Sequence, residues 1–497
     1  MLANRSKHLM VLLTVIAVLV TGCGNDPSLE DTAADTTTAP DNFTATLAAD
    51  RADSTAPEER LGDEWPAYGF DHANSVHNRD ETILSTANVA DLVPTWTLEA
   101  GAVTGTPVVA DGIVYFGDWH GVIHALDAMD GSTTWETDLG DVVLSASVAV
   151  TEGAVIAADL LGDLHAVDRR TGSPIWSVSI VGHEAGVFSS PVVIDDLVVV
   201  ATTSPVFGPV EPGFRAAIVA FDVETGVKRW RLNTDPDDDE SETWVAVWSS
   251  AAYDVERGLI FIGTGNTNVA VPSASGVNDS AGRSSTDLPW SDGVLAIGHD
   301  TGEVRWFHQV IEEDNKRDFD VGASPNLFTI DDRDVIGVGG KSGVYVVLDR
   351  DSGELLWQAQ LTEGSDIGGV MSTAAIGDGV IYVSSNDGGP RGGTIFALDV
   401  ADGSQLWQHR SEHAIIGGSM ALANGVVYRG TWAPFASTGT ALALDAETGT
   451  VLWTDPIDAP LAGGFSIVNG TLYVGFGSGL PPTLGAANGG LIAYRLP

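Results

Sequence analysis

Lys341 stands in "VIGVGGKSGVYVVLD", between two apolar runs, in a chain that has four lysines among 497 residues. A lysine spent there does not serve solubility; it points to a bound anion or to a balancing carboxylate. Arg215, Arg391 and Arg429 fall at positions corresponding to Lys341 in other stretches of the chain. Basic groups gathered in one place on an otherwise acidic protein suggest an anionic ligand. Two other groupings of chemical residue types are weaker. The run "DPDDDESE" (235–242) reads as a solvated acidic loop rather than a surface calcium site. His120 and His124 are the one histidine pair at metal-ligand spacing, and a loop position followed by a strand position is more often incidental.

The elements that must position these residues are repeats. "ALDAETGTVLW" (443–453) recurs as "ALDAMDGSTTW" (125–135), "AVDRRTGSPIW" (166–176), "AFDVETGVKRW" (220–230), "AIGHDTGEVRW" (296–306), "VLDRDSGELLW" (347–357) and "ALDVADGSQLW" (397–407). An eighth begins at "AYRLP" (493–497) without its tryptophan, while "VPTWTLE" (93–99) offers Trp96 with no motif before it. Ahead of each motif lie two apolar runs joined by a tight turn, as in "TPVVADGIVYFG", "MALANGVVYRG" and "FSIVNGTLYVGFG". Asp-Gly and Asn-Gly are the turn dipeptides of two-residue hairpins. Each unit is therefore four short antiparallel strands. Eight such units at a period of about 40 to 75 residues predict an all-β, eight-bladed β-propeller, its ring closed by the N-terminal strand. The motif Asp should cap the third turn, the Gly supply its left-handed residue, and the Trp pack between blades over the small Ala.

In such a meander the second–third loops and the blade-to-blade links lie at one end. Nearly all the length variation falls there, at 203–215, 266–292, 386–393, 432–438 and 476–489 within blades and at 233–243 and 309–320 between them. Loop enlargement on one face of a rigid scaffold marks the binding face, and Lys341 and the three arginines lie on it.

A formal net charge of −45, from 23 Lys+Arg against 68 Asp+Glu, repels phosphate backbones and anionic headgroups, so nucleic acid and membrane surfaces are poor partners. One cysteine, Cys23, excludes an internal disulfide and a thiolate metal cluster. Residues 1–22 carry a basic start and the apolar run "MVLLTVIAVLV", and with "VTGC" they resemble a bacterial lipoprotein signal. Cys23 would then be lipidated, and the protein exported and held to the cell envelope by that anchor alone. Residues 23–60, acidic and nearly free of aromatics, read as a disordered tether, leaving 61–497 for the propeller.

The repeat resembles the docking motif of eight-bladed quinoprotein dehydrogenases, which use pyrroloquinoline quinone (PQQ). It is most similar to their polyvinyl-alcohol dehydrogenase branch through "WPAYGFDHANSVHN" (65–78), "YFGDWHGVIHALDA" (115–128), "VWSSAAYDVERGLIFIGTGN" (247–266) and "DFDVGASPNLF" (318–328). The resemblance implies that Trp248 stacks on PQQ, that Asn266 ligates a calcium ion, and that Asp292 in "WSDGVLA" ligates it too and is the base taking the alcohol proton. It further implies that Lys341 faces the quinone oxygens, with Arg215, Asn386 and Arg429 also binding the cofactor. Hydride passes from alcohol to quinone in that chemistry. The substrate would be a small-molecule or polymeric alcohol. With no Cys-x-x-Cys-His in the sequence, the electrons would leave through a separate acceptor such as a cytochrome c. Two family features are missing from their expected places. Glu211 and Pro212 stand where adjacent cysteines would pair, and the acidic calcium ligand is replaced near Val206. The alternatives are a non-catalytic propeller scaffold of the cell envelope, similar to that of the outer-membrane β-barrel assembly machine, and a binder of another small anion.

Overall fold

The computed structural model describes residues 64–182, 184–205, 210, 214–235, 243–269, 288–312, 317–365, 367–386, 392–411, 418–432, 437–477 and 488–497. The expected signal, Cys23 and the tether lie outside them. The described chain is an eight-bladed propeller of four-stranded antiparallel sheets, that of blade 7 extended by the parallel strand His77–Asn78. Blade 1 is Val108–Ala110, Ile113–Gly117, Val122–Asp127 and Thr133–Asp138. Blades 2 to 7 repeat that order. Blade 8 takes three strands from the C-terminus, Phe465–Val468, Thr471–Phe476 and Asn488–Arg495, and its outer strand, Val93–Gly101, from the N-terminal side. The hairpins turn where sequence placed them: Asp111, Asp378, Asn424 and Asn469 have positive φ, each followed by a glycine that does too.

The motif works between blades rather than within one. Trp135 pairs with Ala125 across its own hairpin, but its ring lies on Gly172, the turn glycine of blade 2, where a Cβ would sit 2.6 Å from Cε3. Its indole N–H donates to Arg169 O, 2.9 Å away in the same turn. Trp176, Trp230, Trp306, Trp357 and Trp407 repeat both contacts on the next blade around. Trp453 donates to Leu92 O at the start of the closing strand, and Trp96 on that strand lies on Gly131 of blade 1. The eight tryptophans thus form a closed relay. Trp96 makes no indole hydrogen bond, because Ala128 O, its expected acceptor, already takes Tyr473 Oη and Arg495 Nη2.

A second ring runs nearer the axis. Main-chain N–H groups of Thr106, Ser147, Ser190 and Ser250 donate to the hydroxyls of Ser147, Ser190, Ser250 and Ser324, each on the next blade. Tyr68 Oη continues it by bonding Thr373 of blade 6 (2.8 Å) and Ser419 of blade 7 (3.1 Å). Tyr68 belongs to a segment, Trp65–Asn78, that crosses the end of the shaft at the first–second turns. It bonds seven of the eight blades, through Val109, Val193, Tyr253, Leu327, Ile376, Leu422 and Ile467. One end of the shaft is therefore plugged, and a ligand must enter from the other.

Three of the turn aspartates, Asp168, Asp222 and Asp349, are acidified. Burial pushes the Asp349 carboxyl up, but bonds from Ser352 and Arg333 outweigh it and hold the group at about 2. A carboxyl depressed in the fold contributes stability above its ordinary range and loses it as pH falls towards its folded value. Relief of the chain's own negative repulsion acts oppositely over the same window. We therefore expect the thermal midpoint of Asp349→Asn to approach that of the wild type as pH drops from about 4 to about 2. A pH-independent difference in a calorimetric series would contradict this.

Candidate active site

The residues singled out by sequence meet at the open end, where first strands begin and second strands end. The second strand of blade 4, Leu259–Gly263, runs into Thr264, Gly265 and Asn266. A short ribbon not expected from the sequence then pairs Thr267–Val269 with Thr243–Val245, and Trp248 follows three residues later. Bonds from Ala246 N to Asn266 O (3.1 Å) and from Gly265 N to Ala246 O (2.8 Å) tie the two sides. The ribbon so places Trp248 beside Asn266.

The link into blade 5 supplies a carboxylate between them. Asp320, 4% exposed, accepts the Asn266 main-chain N–H at Oδ1 (2.8 Å). A Cβ on Gly265 would lie 2.1 Å from that oxygen, so only glycine admits the carboxylate there. Lys341 enters from the end of the blade 5 second strand, its N–H donating to Asp320 O (2.9 Å). Its ammonium lies 2.5 Å from Asp320 Oδ2 and 3.1 Å from Asp318 Oδ2, and sits over the Trp248 ring, 5.4 Å from the centroid. Burial pushes the Asp320 carboxyl up, but the Lys341 charge wins and holds it below the usual range. Burial likewise pulls Lys341 down, and Asp320 and Asp318 together hold it above its ordinary value. Both groups are charged at neutral pH. Trp248 is only half-buried, and Gly322 packs under its ring, where a Cβ would lie 1.8 Å from Cη2.

The other expected residues sort by distance from this group. Asn386, 1% exposed, ends the second strand of blade 6 and exchanges main-chain bonds with Gly369 (3.0 and 3.1 Å), which abuts the Lys341 carbonyl. Asp292 is fully buried and joins through its main chain, donating to Gly265 O (3.0 Å). The carboxylate that meets lysine and asparagine is Asp320, which sequence reading passed over although "DFDVGASPNLF" contains it. Arg215 lies on the blade 3 loop as expected and pairs with buried Asp235 (3.0 Å). Arg429 is not in a loop. Its strand, Val426–Gly430, continues one residue beyond it to pair with Ala441, and burial pulls the guanidinium down to about 9. Arg391, Val206, Glu211 and Pro212 lie outside the described residues.

The histidine pair has a structural explanation. His124 bonds Asp118 (3.0 Å) and Glu136 (3.1 Å) and stacks on Phe116, and blade 2 repeats the arrangement with His165 and Asp159 (2.9 Å). Among the described residues no three His, Cys, Asp or Glu side chains converge as a metal cage. Two clefts of about 300 and 340 Å³ lie on the plugged face around Ser75, Arg79 and Phe328, and the buried charges that line the second, Arg350 and Asp254, are already paired at 2.9 Å.

Comparison with known proteins fits this geometry. Residues 179–363 match the family model of the glucose/ethanol/alcohol dehydrogenase β-propeller domain, and 290–461 match that of the outer membrane protein assembly factor BamB. A polyvinylalcohol dehydrogenase from Pseudomonas sp. is 31% identical over 228 residues, 39% of this chain and 33% of the relative. A quinohemoprotein alcohol dehydrogenase from Comamonas testosteroni is 26% identical over 339 residues, 59% of this chain and 46% of the relative. The matches thus span less than half of these relatives' length. The solved quinohemoprotein alcohol dehydrogenase ADHIIG of Pseudomonas putida HK5 superposes with a TM-score of 0.73 at 22% identity, covering 88% of this chain and 80% of that one.

Gly322→Ala should push the Trp248 indole off its seat, changing the near-ultraviolet circular dichroism while the far-ultraviolet spectrum stays that of the wild type. An unchanged near-ultraviolet spectrum would show that the ring does not rest on Gly322. By repeat, by fold and by partial sequence match, the chain is similar to the PQQ-dependent alcohol dehydrogenase-like family.

Proposed function

We propose that this chain is a PQQ-dependent alcohol dehydrogenase, with calcium as second cofactor. The observation that carries the reading is the Lys341–Asp320 pair set beside Asn266 and over a half-buried tryptophan. These residues fit a flat polyanion. Trp248 offers an aromatic face backed by a glycine with no side chain to tilt it, and Lys341 offers a fixed cation at that face. Asn266 and Asp320 are adjacent oxygen donors suited to calcium. When bound, PQQ would supply a two-electron acceptor and calcium a Lewis acid.

The chain's own residues would then do the following. Lys341 keeps Asp320 ionised, so the carboxylate can accept the alcohol proton at Oδ2, the oxygen facing the ammonium. Asn266 holds the other oxygen and so fixes the direction of the carboxylate. The plug at 65–78 leaves access from the funnel alone. Asp320 thus takes the role expected for Asp292, which acts as a buried support of the Gly265 turn. Asn386 supports Lys341 through Gly369, and Arg215 and Arg429 contribute positive potential at greater distance. We also infer export, lipidation at Cys23, a small or polymeric alcohol as substrate, and transfer of electrons to a separate acceptor such as a cytochrome c. No described helix is long and apolar enough to cross a membrane.

The test is reconstitution with PQQ and calcium, followed by the cofactor spectrum and dye-linked alcohol oxidation. Asp320→Asn should keep the spectral change while kcat falls by about 10²- to 10⁴-fold. Asp292→Asn should cost less than about tenfold. Full activity in Asp320→Asn would remove it as the base. The match of 290–461 to the BamB model favours a non-catalytic envelope scaffold as the second reading. No spectral change with PQQ, together with no effect of Lys341→Ala on ligand binding, would select it.

A further inference from the structure

Lys341 has two carboxylate partners, and they differ in kind. Asp320 is inside, with its side chain 6% exposed, and its other oxygen is tied to the Asn266 main chain. Asp318 approaches from the funnel, its side chain 30% exposed, and reaches the same ammonium at 3.1 Å. One cation therefore carries two anions, and their surplus negative charge faces the opening. An anionic ligand arriving over Trp248 must meet Lys341 on the side that Asp318 occupies.

We propose that Asp318 is a tethered counter-ion that holds Lys341 until a flat polycarboxylate displaces it, and so sets the affinity and selectivity of the funnel for that ligand. The proposal rests on the reading of Trp248 and Lys341 as a cofactor site. Two features of the link support it. Phe319 carries the Arg317 guanidinium 4.7 Å above its ring, and Arg317 O accepts Asn266 Nδ2 (3.4 Å), so the chain on either side of Asp318 is held. Displacement then needs the partly exposed Asp318 side chain to rotate into water, away from Lys341 and from its hydrogen bond with Asp320. Asp320 cannot yield in this way, because Gly265 and Asn266 enclose it. A weakly anionic ligand would not repay the loss of the Asp318 contact, whereas a ligand with several carboxylates would.

The experiment is a double-mutant cycle on the full chain, titrating wild type, Asp318→Asn, Lys341→Met and the double variant with PQQ at fixed calcium, read by quenching of tryptophan fluorescence. Trimesate, a flat tricarboxylate that is no quinone, is titrated in parallel. Asp318→Asn should tighten PQQ binding about tenfold, and the gain should vanish when Lys341 is methionine. Unchanged or weaker binding in Asp318→Asn, or an equal gain without Lys341, overturns the proposal. If wild type binds and turns over with PQQ while Asp318→Asn shows no gain, the counter-ion role falls and the enzymatic reading stands. If PQQ binds no variant but trimesate shows the Lys341-dependent gain, the counter-ion role stands and the quinone reading falls. Binding of neither probe by any variant overturns both.

Discussion

The contact on which everything else depends is a tryptophan lying on the turn glycine of the following blade. Seven of the eight tryptophans make it, and six of these add a hydrogen bond from the indole to the carbonyl just beyond the turn's first position, while Trp453 bonds Leu92 O where the chain ends meet. The glycine is needed twice over, for its positive φ and for the missing Cβ. Gly353, for instance, has φ of +71° and would meet the Trp306 ring at 2.6 Å if it carried a side chain. Because the last relay step crosses between the two ends of the chain, the ring closes only when Val93–Gly101 joins Asn488–Arg495. Blade 4 and blade 5 cannot then shift relative to each other without breaking a neighbour. That rigidity is what lets residues on separate blades hold a common geometry.

Within this frame the buried Lys341–Asp320 pair is poised rather than stabilising. Desolvating two charges offsets most of their attraction, and removing one partner leaves the other charge stranded, at a cost of about 3 to 5 kcal/mol. Such a pair is poor construction material next to well-packed apolar residues. Its position over a half-buried aromatic ring, at the unplugged end of the shaft, gives it a different use. The serine ring and Tyr68 below it tie the first strands together, so the floor on which Trp248 rests does not give way.

Much of this was legible in the sequence, for reasons that differ by residue. The blade motif is local: Asp, Gly and Trp fall within eleven residues, and turn chemistry and packing dictate each. Lys341 was legible because a charge in an apolar run is out of place. Asp320 was not, since it is one of 68 acidic residues and its partners stand 54 and 21 positions away in sequence. Asp292 is pointed to instead by the resemblance of "WSDGVLA", and it does reach the site, though through Gly265. Arg429 shows the limit of boundary reading, since one extra strand residue turns a loop cation into a buried one. The plug at 65–78 has no periodicity to betray it. Its bonds are largely main-chain and side-chain-to-carbonyl links to seven blades, a pattern that no local signal encodes.

In the proposed reading, the half-buried indole and the buried ammonium receive one flat anion between blades. A crystal of the full chain soaked with PQQ and calcium tests it most directly. Planar density is expected on the exposed face of Trp248, with an oxygen within hydrogen-bond distance of Lys341 Nζ. Density seated instead in the clefts around Ser75 and Arg79 on the plugged face, or a funnel left empty at saturating ligand, would contradict it.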